Sequence, residues 1–143
     1  MTEISFHFNV PDRTAYACRL LRKATRRGAQ IAVTGAPAML EQLDRELWAF
    51  DPVEFIAHLR VQPGEPVAER LQTTKVWLVG EASTAPHHEV LVNLGSAAPS
   101  GFESYAKLIE IVSLEPDDRA AARMRWKHYA DRGYAIERHE VPA

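Results

Sequence analysis

The spacing of apolar residues changes several times along the chain, and each change indicates a different element. Alternating apolar and polar residues over 4–10 predict a strand with one apolar face. Residues 14–27 repeat their apolar positions every three or four residues, which predicts an amphipathic helix that Asp12 caps and Gly28 ends. The run at 31–33 is continuously apolar and predicts a strand buried on both faces.

The same reading extends to the end of the chain. After Gly35-Ala36-Pro37 we predict a second helix whose buried side holds Met39, Leu40, Leu43, Leu47 and Trp48. Further strands are predicted at 76–79, 90–94, 108–112 and 134–139, a helical turn at 102–107, and a helix at 117–132 closed by Gly133.

The remaining segments are predicted loops. Asp51-Pro52 interrupts the second helix, residues 53–58 form a short further turn, and 62–72 form a surface loop followed by an edge strand. Strands that alternate with helices predict an α/β fold, with a largely parallel sheet and right-handed crossovers. We therefore expect one three-layer, Rossmann-like domain over residues 1–143.

Composition narrows the class of protein. Of 143 residues, 46% are hydrophobic and 25% charged, which is typical of a globular domain. Cys18 is the only cysteine, so no intramolecular disulfide forms, which suits a reducing compartment. No apolar run approaches the roughly 20 residues of a membrane span, and the first residues do not resemble a signal peptide. We expect a cytoplasmic protein without a membrane partner.

Charge is unevenly distributed, although the net charge is only −2. Basic residues concentrate at 19–27 and 119–132, and acidic residues at 41–54. This asymmetry favours local recognition of an anion over general binding to nucleic acid.

The motifs of nucleotide-dependent enzymes are missing from the sequence. Pro11-Asp12-Arg13 follows the first strand where a dinucleotide site needs glycines, Gly35 stands alone after the second, and no Walker loop occurs. No serine lies in a Gly-x-Ser-x-Gly elbow. A Rossmann-like nucleotide-binding enzyme therefore remains an alternative that only the alternation of elements supports.

Isolated reactive residues have simpler explanations. The pair His87-His88 is expected in a solvated loop, because adjacent side chains of an extended chain point apart and no partner has metal-ligand spacing. Cys18 is expected in the core, and His58 beside Phe55 is expected to pack or cap. We predict no catalytic site, cofactor or metal.

The last helix carries the strongest functional pattern. At about 100° per residue, Arg119, Arg123 and Trp126 share one strip, with Lys127 at its edge. Either these cations and Arg125 form a solvated face on which Trp126 packs, or the strip forms a shallow pocket for an anionic, partly apolar ligand. Trp and Arg are enriched among residues that dominate binding.

Five stretches, in register, resemble the chi subunit of bacterial DNA polymerase III, an accessory protein of the clamp loader. They are Leu20-Leu21 to Gly28, Leu43-Asp44 to Phe50, Phe55-Ile56 to His58, Val90 to Leu94, and Ala121 to Tyr134.

The resemblance implies a non-catalytic adaptor in DNA replication. Chi proteins bind the acidic C-terminal tail of single-stranded DNA-binding protein, and psi, the subunit that joins them to the clamp loader; they reach DNA mainly through these partners. The tail ends in acidic residues, an apolar pair and a free carboxylate. The family's tail-binding residues correspond here to Trp48, Phe55, Leu114, Arg119, Arg123, Trp126 and Lys127.

One residue departs from the usual family pattern. Ala57 stands where relatives often have proline before the histidine, so that turn is expected to differ.

Two further hypotheses concern partners. Phe102 and Tyr105 are candidates for a psi-binding face, although a core role is favoured for both. Direct binding of single-stranded DNA by the basic strip is a competing hypothesis, since aromatic platforms flanked by cations also bind bases.

Overall fold

A sheet of seven parallel strands forms the centre of the molecule in a computed structural model that describes residues 1–50 and 55–142. The strands are β1 (Glu3–Val10), β2 (Ile31–Thr34), β3 (His58–Val61), β4 (Val76–Val79), β5 (Val90–Asn93), β6 (Lys107–Ser113) and β7 (Ile136–Glu140). The α-helices are α1 (Arg13–Arg26), α2 (Pro37–Ala49) and α3 (Pro116–Asp131), and 3₁₀ turns occur at Glu69–Leu71, Ala82–Thr84 and Phe102–Ser104.

Helices cover both faces of this sheet. The strand order is β3-β4-β2-β5-β6-β1-β7. Apolar residues of α1 and α2 share one buried cluster with one side of the strands, whereas α3 belongs to the cluster on the other side. The predicted three-layer α/β fold with a parallel sheet is therefore confirmed, and each strand of the middle is buried on both faces as the continuous apolar runs indicated.

The predicted helix ends follow from local chemistry. The side chain of Asp12 accepts a hydrogen bond from the Ala15 amide at 3.2 Å and so caps α1. Gly28 and Gly133 follow α1 and α3 with φ of 80° and 83°, the left-handed conformation that glycine adopts without strain. Of the described residues, no helix is long and apolar enough to cross a bilayer.

Two local predictions were wrong and one lies partly outside the described residues. His58 begins the edge strand β3 instead of ending a turn, while Asp51-Pro52 and the first two residues of that predicted turn are among the residues not described. His87 is buried against Trp77, at 6.3 Å between ring centroids, although its neighbour His88 is exposed. Cys18, Phe102 and Tyr105 are buried, as predicted.

A buried ion pair attaches α3 to the sheet. Arg125, which one of the two alternatives for the last helix placed on a solvated face, is only 2% exposed, and its Nε donates to Glu110 Oε1 at 3.0 Å. Glu110 lies on β6 and also accepts hydrogen bonds from the Tyr129 hydroxyl at 2.5 Å and the Asn93 amide at 2.9 Å. Arg125 Nη1 donates further to the Ser96 carbonyl at 3.0 Å.

The network compensates charges that burial alone would disfavour. Burial raises the pKa of the Glu110 carboxyl, and the Arg125 guanidinium and the hydrogen bonds from Tyr129, Asn93 and Arg125 oppose that rise. Burial, and then the neighbouring Glu110 carboxylate, raises the pKa of the Tyr129 hydroxyl, which therefore stays a donor. Removing one member leaves the groups that it contacted buried and without that partner.

We predict that Arg125→Ala lowers the free energy of unfolding by about 3–5 kcal/mol, because Glu110 loses its compensating charge. Lys127→Ala is the matched control, since its ammonium group pairs with Asp131 in solvent and should change stability by less than about 0.5 kcal/mol. Urea denaturation of both variants measures the difference. Equal stabilities would show that the buried pair does not hold α3 in place.

A second buried polar contact is at His7 on β1. Its Nδ1 contacts the Tyr16 hydroxyl, and its ring lies 4.7 Å from that of His139 between centroids. Burial, then repulsion from His139 and Lys107, lowers the pKa of His7 from 6.5 to about 4. His7 is therefore neutral in the folded protein near neutral pH.

This shift gives stability a defined pH dependence. The unfolded chain takes up a proton at His7 below about pH 6.5 while the folded chain does so only near pH 4, so stability falls as the pH drops across this window. We expect His7→Gln to reduce the slope of unfolding free energy against pH between these values. Equal slopes for wild type and His7→Gln would contradict the assignment.

Candidate functional site

A cleft of about 440 Å³ opens between α3 and the carboxyl ends of β1, β6 and β7. It exists because α3 crosses over β1 from β6 to β7 and leaves the ends of β1 and β7 uncovered beside its first half. The lining residues are Phe6, Phe8, Asn9, Val112, Arg119, Ala122, Arg123, Trp126, Lys127 and Arg138.

The floor of the cleft is apolar and partly aromatic. Phe6, Val112 and Ala122 are buried beneath it. Trp126 is half-buried, packed against the core on the α3 side, and its ring lies 5.0 Å from that of Phe6 between centroids. Trp126 thus does both things that the sequence left open, since part of its ring packs on Phe6 and the accessible part lines the cleft.

One wall of the cleft is the cationic strip of α3. Arg119 and Arg123 are exposed and form no ion pair with any described residue. Lys127 contacts Asp131 at 3.1 Å, but both side chains are more than half exposed, so this pair is weak and can exchange for another anion. The helical periodicity correctly grouped these three residues with Trp126.

The opposite wall was not identified from the sequence. Arg138 on β7 also lines the cleft, with its guanidinium 4.5 Å from the centroid of the Phe8 ring. Asn9 lies beside it with φ of 62°, at an irregularity in the pairing of β1 with β6, and donates to Glu140 at 2.9 Å. Arg138 was missed because only the sheet order places β7 next to β1.

Trp48 and Phe55 lie elsewhere. Their rings are 4.9 Å apart between centroids and are 56% and 58% exposed, so Trp48 is not on the buried side of α2 as predicted. Beneath them His58 packs 4.9 Å from the Trp48 ring, with its Nε2 2.8 Å from Asp44 and its Nδ1 2.9 Å from the Ile56 carbonyl. We call Trp48 and Phe55 the aromatic pair.

The sheet separates the aromatic pair from the cleft. The pair stands beside the edge strand β3 on the side of α2, whereas the cleft lies on the α3 side at β6, β1 and β7. Four strand spacings from β3 to β6 amount to about 19 Å, to which the thickness of the sheet adds. The expectation that Trp48, Phe55 and Trp126 line one hollow is therefore wrong.

Leu114 takes an intermediate position. It is exposed in the connection between β6 and α3, close in sequence to the cleft, but it is not among the lining residues. The structure thus groups Arg119, Arg123, Trp126 and Lys127, and leaves Leu114 beside them and the aromatic pair apart.

The position where a Rossmann-like enzyme binds a nucleotide is filled by side chains. In open parallel sheets this position is the crevice between neighbouring strands whose helices leave to opposite faces, here β6 and β1. Arg13 lies there, 2.9 Å from the Leu94 carbonyl and 3.6 Å from Asp118, and Asp118 accepts from the Ser113 amide at 2.7 Å. These contacts leave the enzyme alternative without support from the geometry.

In the part of the chain that the structure describes, we find no cluster of side chains suited to binding a metal ion or to activating a nucleophile. No three His, Cys, Asp or Glu side chains there are grouped closely enough to hold a metal ion. Burial, above all, raises the pKa of the Cys18 thiol to about 11, which keeps it protonated and unreactive. His58, whose two ring nitrogens both face oxygen atoms, is packed as predicted.

Comparison with known proteins agrees with this architecture. The family described as DNA polymerase III chi subunit, HolC, matches residues 1–137. The chain belongs to this family. The chi subunit of Pseudomonas aeruginosa is 32% identical over 148 residues, covering 99% of both chains, and that of Haemophilus influenzae is 25% identical over 126 residues, covering 87% of this chain and 85% of the relative.

Membership in the chi family gives the chain an accessory role in DNA replication, among the subunits of DNA polymerase III. The resemblance of the five stretches is confirmed, because the match extends over nearly the whole chain. The cleft and the aromatic pair are then two separate surfaces with which such a subunit could contact other proteins.

Proposed function

We propose that this chi-family protein is a non-catalytic adaptor whose cleft binds the acidic C-terminal tail of single-stranded DNA-binding protein. The observation that supports it is the cleft itself, where cations from α3 and from β7 surround an apolar floor. A tail of this kind presents carboxylates, an apolar pair and a terminal carboxylate, so each part has a matching surface. The adaptor reaches DNA through that partner.

The roles within the cleft follow from the chemistry of each group. Arg119 and Arg123 carry planar guanidinium groups that form no ion pair with the described residues, which suits two-pronged binding of a carboxylate. The ring of the tail's terminal phenylalanine packs against the exposed part of Trp126, above the apolar floor of the cleft, where aromatic contacts favour tilted rings. Arg138 closes the opposite wall and receives the acidic residues that precede the ring.

The same groups set the strength of binding. Each charge-assisted hydrogen bond contributes roughly 1.5–3 kcal/mol net, and ordering a flexible tail opposes binding by about 2–5 kcal/mol. A few such bonds with one buried ring give micromolar affinity, about −8 kcal/mol. Because the cations are exposed, affinity should fall as salt rises.

We predict that Arg123→Ala weakens binding of a tail peptide about tenfold to a hundredfold, because one charge-assisted carboxylate contact is lost. Arg138→Ala should weaken it in the same direction, as the opposite wall of the same cleft. Removing the terminal phenylalanine from the peptide should cost at least as much as Arg123→Ala. Isothermal titration calorimetry at fixed salt measures all three.

The matched control is Arg132→Ala, which removes an exposed arginine just after α3 that is not part of the cleft. Circular dichroism verifies that each variant keeps its fold. Wild-type affinity for Arg123→Ala would reject the tail site. Binding of an oligothymidylate that equals binding of the peptide would instead favour direct recognition of single-stranded DNA.

We further propose that the aromatic pair, instead of contributing to the tail site, docks psi and so connects the adaptor to the clamp loader. An adaptor must bind the tail and psi at the same time. Because the charge of the tail suits the cleft, psi needs a different surface. The pair offers the complementary chemistry, because two large exposed rings in contact with each other are typical of the apolar centre of a protein interface. Phe102 and Tyr105 are buried and cannot form that face.

The two surfaces make a separable prediction. A Trp48→Ala, Phe55→Ala double variant should abolish co-elution with psi in size-exclusion chromatography, since it removes two exposed rings, yet bind the tail peptide within about twofold of wild type. Met124→Ala, which removes an exposed apolar side chain from α3, should leave psi binding unchanged. A tenfold loss of tail affinity in the double variant would instead show that the aromatic pair contributes to tail binding.

A further inference from the structure

A second cleft, of about 220 Å³, lies on the opposite side of the sheet from the tail cleft. It is bounded by the last half of α1 and by the amino ends of β2, β5 and β6. Its lining residues are His7, Leu20, Leu21, Lys23, Ala24, Arg27, Ala29, Ile31, Val90, Val92, Lys107 and Ile109. The basic segment at 19–27, for which the adaptor function gives no use, provides one of its walls.

The floor of this α1 cleft is aliphatic. Leu21, Ile31, Val92 and Ile109 are buried under it as part of the core on this side of the sheet. Leu20, Ala24, Ala29 and Val90 surround the floor. The other lining residues are polar or charged, namely His7, Lys23, Arg27 and Lys107. No Phe, Tyr or Trp lines the cleft; its one ring is that of His7, whose Nδ1 contacts Tyr16 and whose centroid lies 4.7 Å from that of His139.

Cations stand around this floor without compensation. Lys23 and Arg27, four residues apart on α1 and thus about 6 Å along its axis, are exposed. Lys107 faces them from the first position of β6. None of the three forms an ion pair with a described carboxylate.

Among the residues that the structure describes, carboxylates are found only at the margin of this cleft. Glu3 is the register partner of Lys107 on β1, and Glu89 accepts from the Gln30 amide at 2.7 Å; neither lines the cleft. His7 adds no charge near neutral pH, because its pKa is lowered to about 4. The net character is therefore that of a cationic ring around an aliphatic hollow.

We propose that the α1 cleft is a second docking site, which takes an acidic peptide segment that inserts an aliphatic side chain. Charge complementarity calls for an anionic ligand, and the floor calls for an apolar anchor. Single-stranded nucleic acid meets only the first condition, since its binding sites use aromatic side chains on which bases stack and this cleft offers none. The proposal does not depend on the tail site, which lies on the other side of the sheet.

Heteronuclear NMR with ¹⁵N-labelled protein tests this site directly. The probe is acetyl-Asp-Glu-Leu-Asp-Glu-amide, which has no terminal carboxylate and no aromatic ring. We expect saturable shifts of the Ala24, Ala29, Ile31 and Val90 amides, while the amides of 119–127 beside the tail cleft change little. The same peptide with serine in place of leucine should bind at least fivefold more weakly.

Variants identify the cations. Lys23→Glu with Arg27→Glu should lower the affinity of the leucine peptide at least tenfold, as the titration measures. Arg70→Glu with Arg132→Glu is the matched control, because it reverses the same number of exposed charges outside the α1 cleft and should bind as wild type does.

Each other outcome overturns the proposal. These outcomes are unchanged spectra, shifts confined to the tail cleft, equal binding of the leucine and serine peptides, and equal loss in both double variants. An oligothymidylate that shifts the Ala24 and Ile31 amides where the leucine peptide does not would assign the α1 cleft to nucleic acid instead. Because the probe lacks the tail's terminal carboxylate and phenylalanine, failure here leaves the tail site intact.

Discussion

The buried pair of Glu110 and Arg125 is the contact on which the geometry of the tail cleft depends. It joins the middle of β6 to the middle of α3, and Tyr129 and Asn93 complete the hydrogen bonds of the carboxylate. A buried ion pair adds little stability over a well-packed apolar pair, but it tolerates only one register. Arg125 inside the protein therefore fixes which face of α3 turns outward.

That orientation explains how one short helix separates its arginines by role. Arg125 points into the core while Arg123, two positions earlier and about 200° away around the helix axis, faces solvent at the cleft. Trp126 sits at the boundary, where its ring packs on Phe6 and its edge remains accessible. Rigid support of this kind lets exposed cations be held in place without ion pairs of their own.

The order of the strands has an equally direct effect on function. Because the connection after β2 goes to one face and the connection after β6 to the other, the aromatic pair and the cleft at α3 stand on opposite sides of the sheet. The proposed adaptor would benefit from this separation, since partners bound at the cleft and at the aromatic pair would not collide. The α/β scaffold thus supplies spacing, while its usual ligand crevice is filled by Arg13 and Asp118.

The local pattern of apolar, polar and capping residues determined the helices and most of the strands of this protein. Period-two alternation, the Asp12 cap and the glycines after α1 and α3 depend on neighbouring residues, so the helices and most strands could be predicted, and so could the grouping of Arg119, Arg123 and Trp126 on one helix face. Periodicity carries no information on what a helix face meets. The short edge strand β3 was missed because its four residues show no clear period.

Only the tertiary structure decided which parts meet. It buried Arg125 because Glu110 on another element compensates its charge, brought Arg138 to the cleft because β7 pairs with β1, and put Trp48 beyond reach of Trp126 because the sheet lies between them. Each of these outcomes depends on contacts between residues distant in sequence. The sequence by itself determined the elements and the family; the order of the strands and the faces taken by the helices decided the sites.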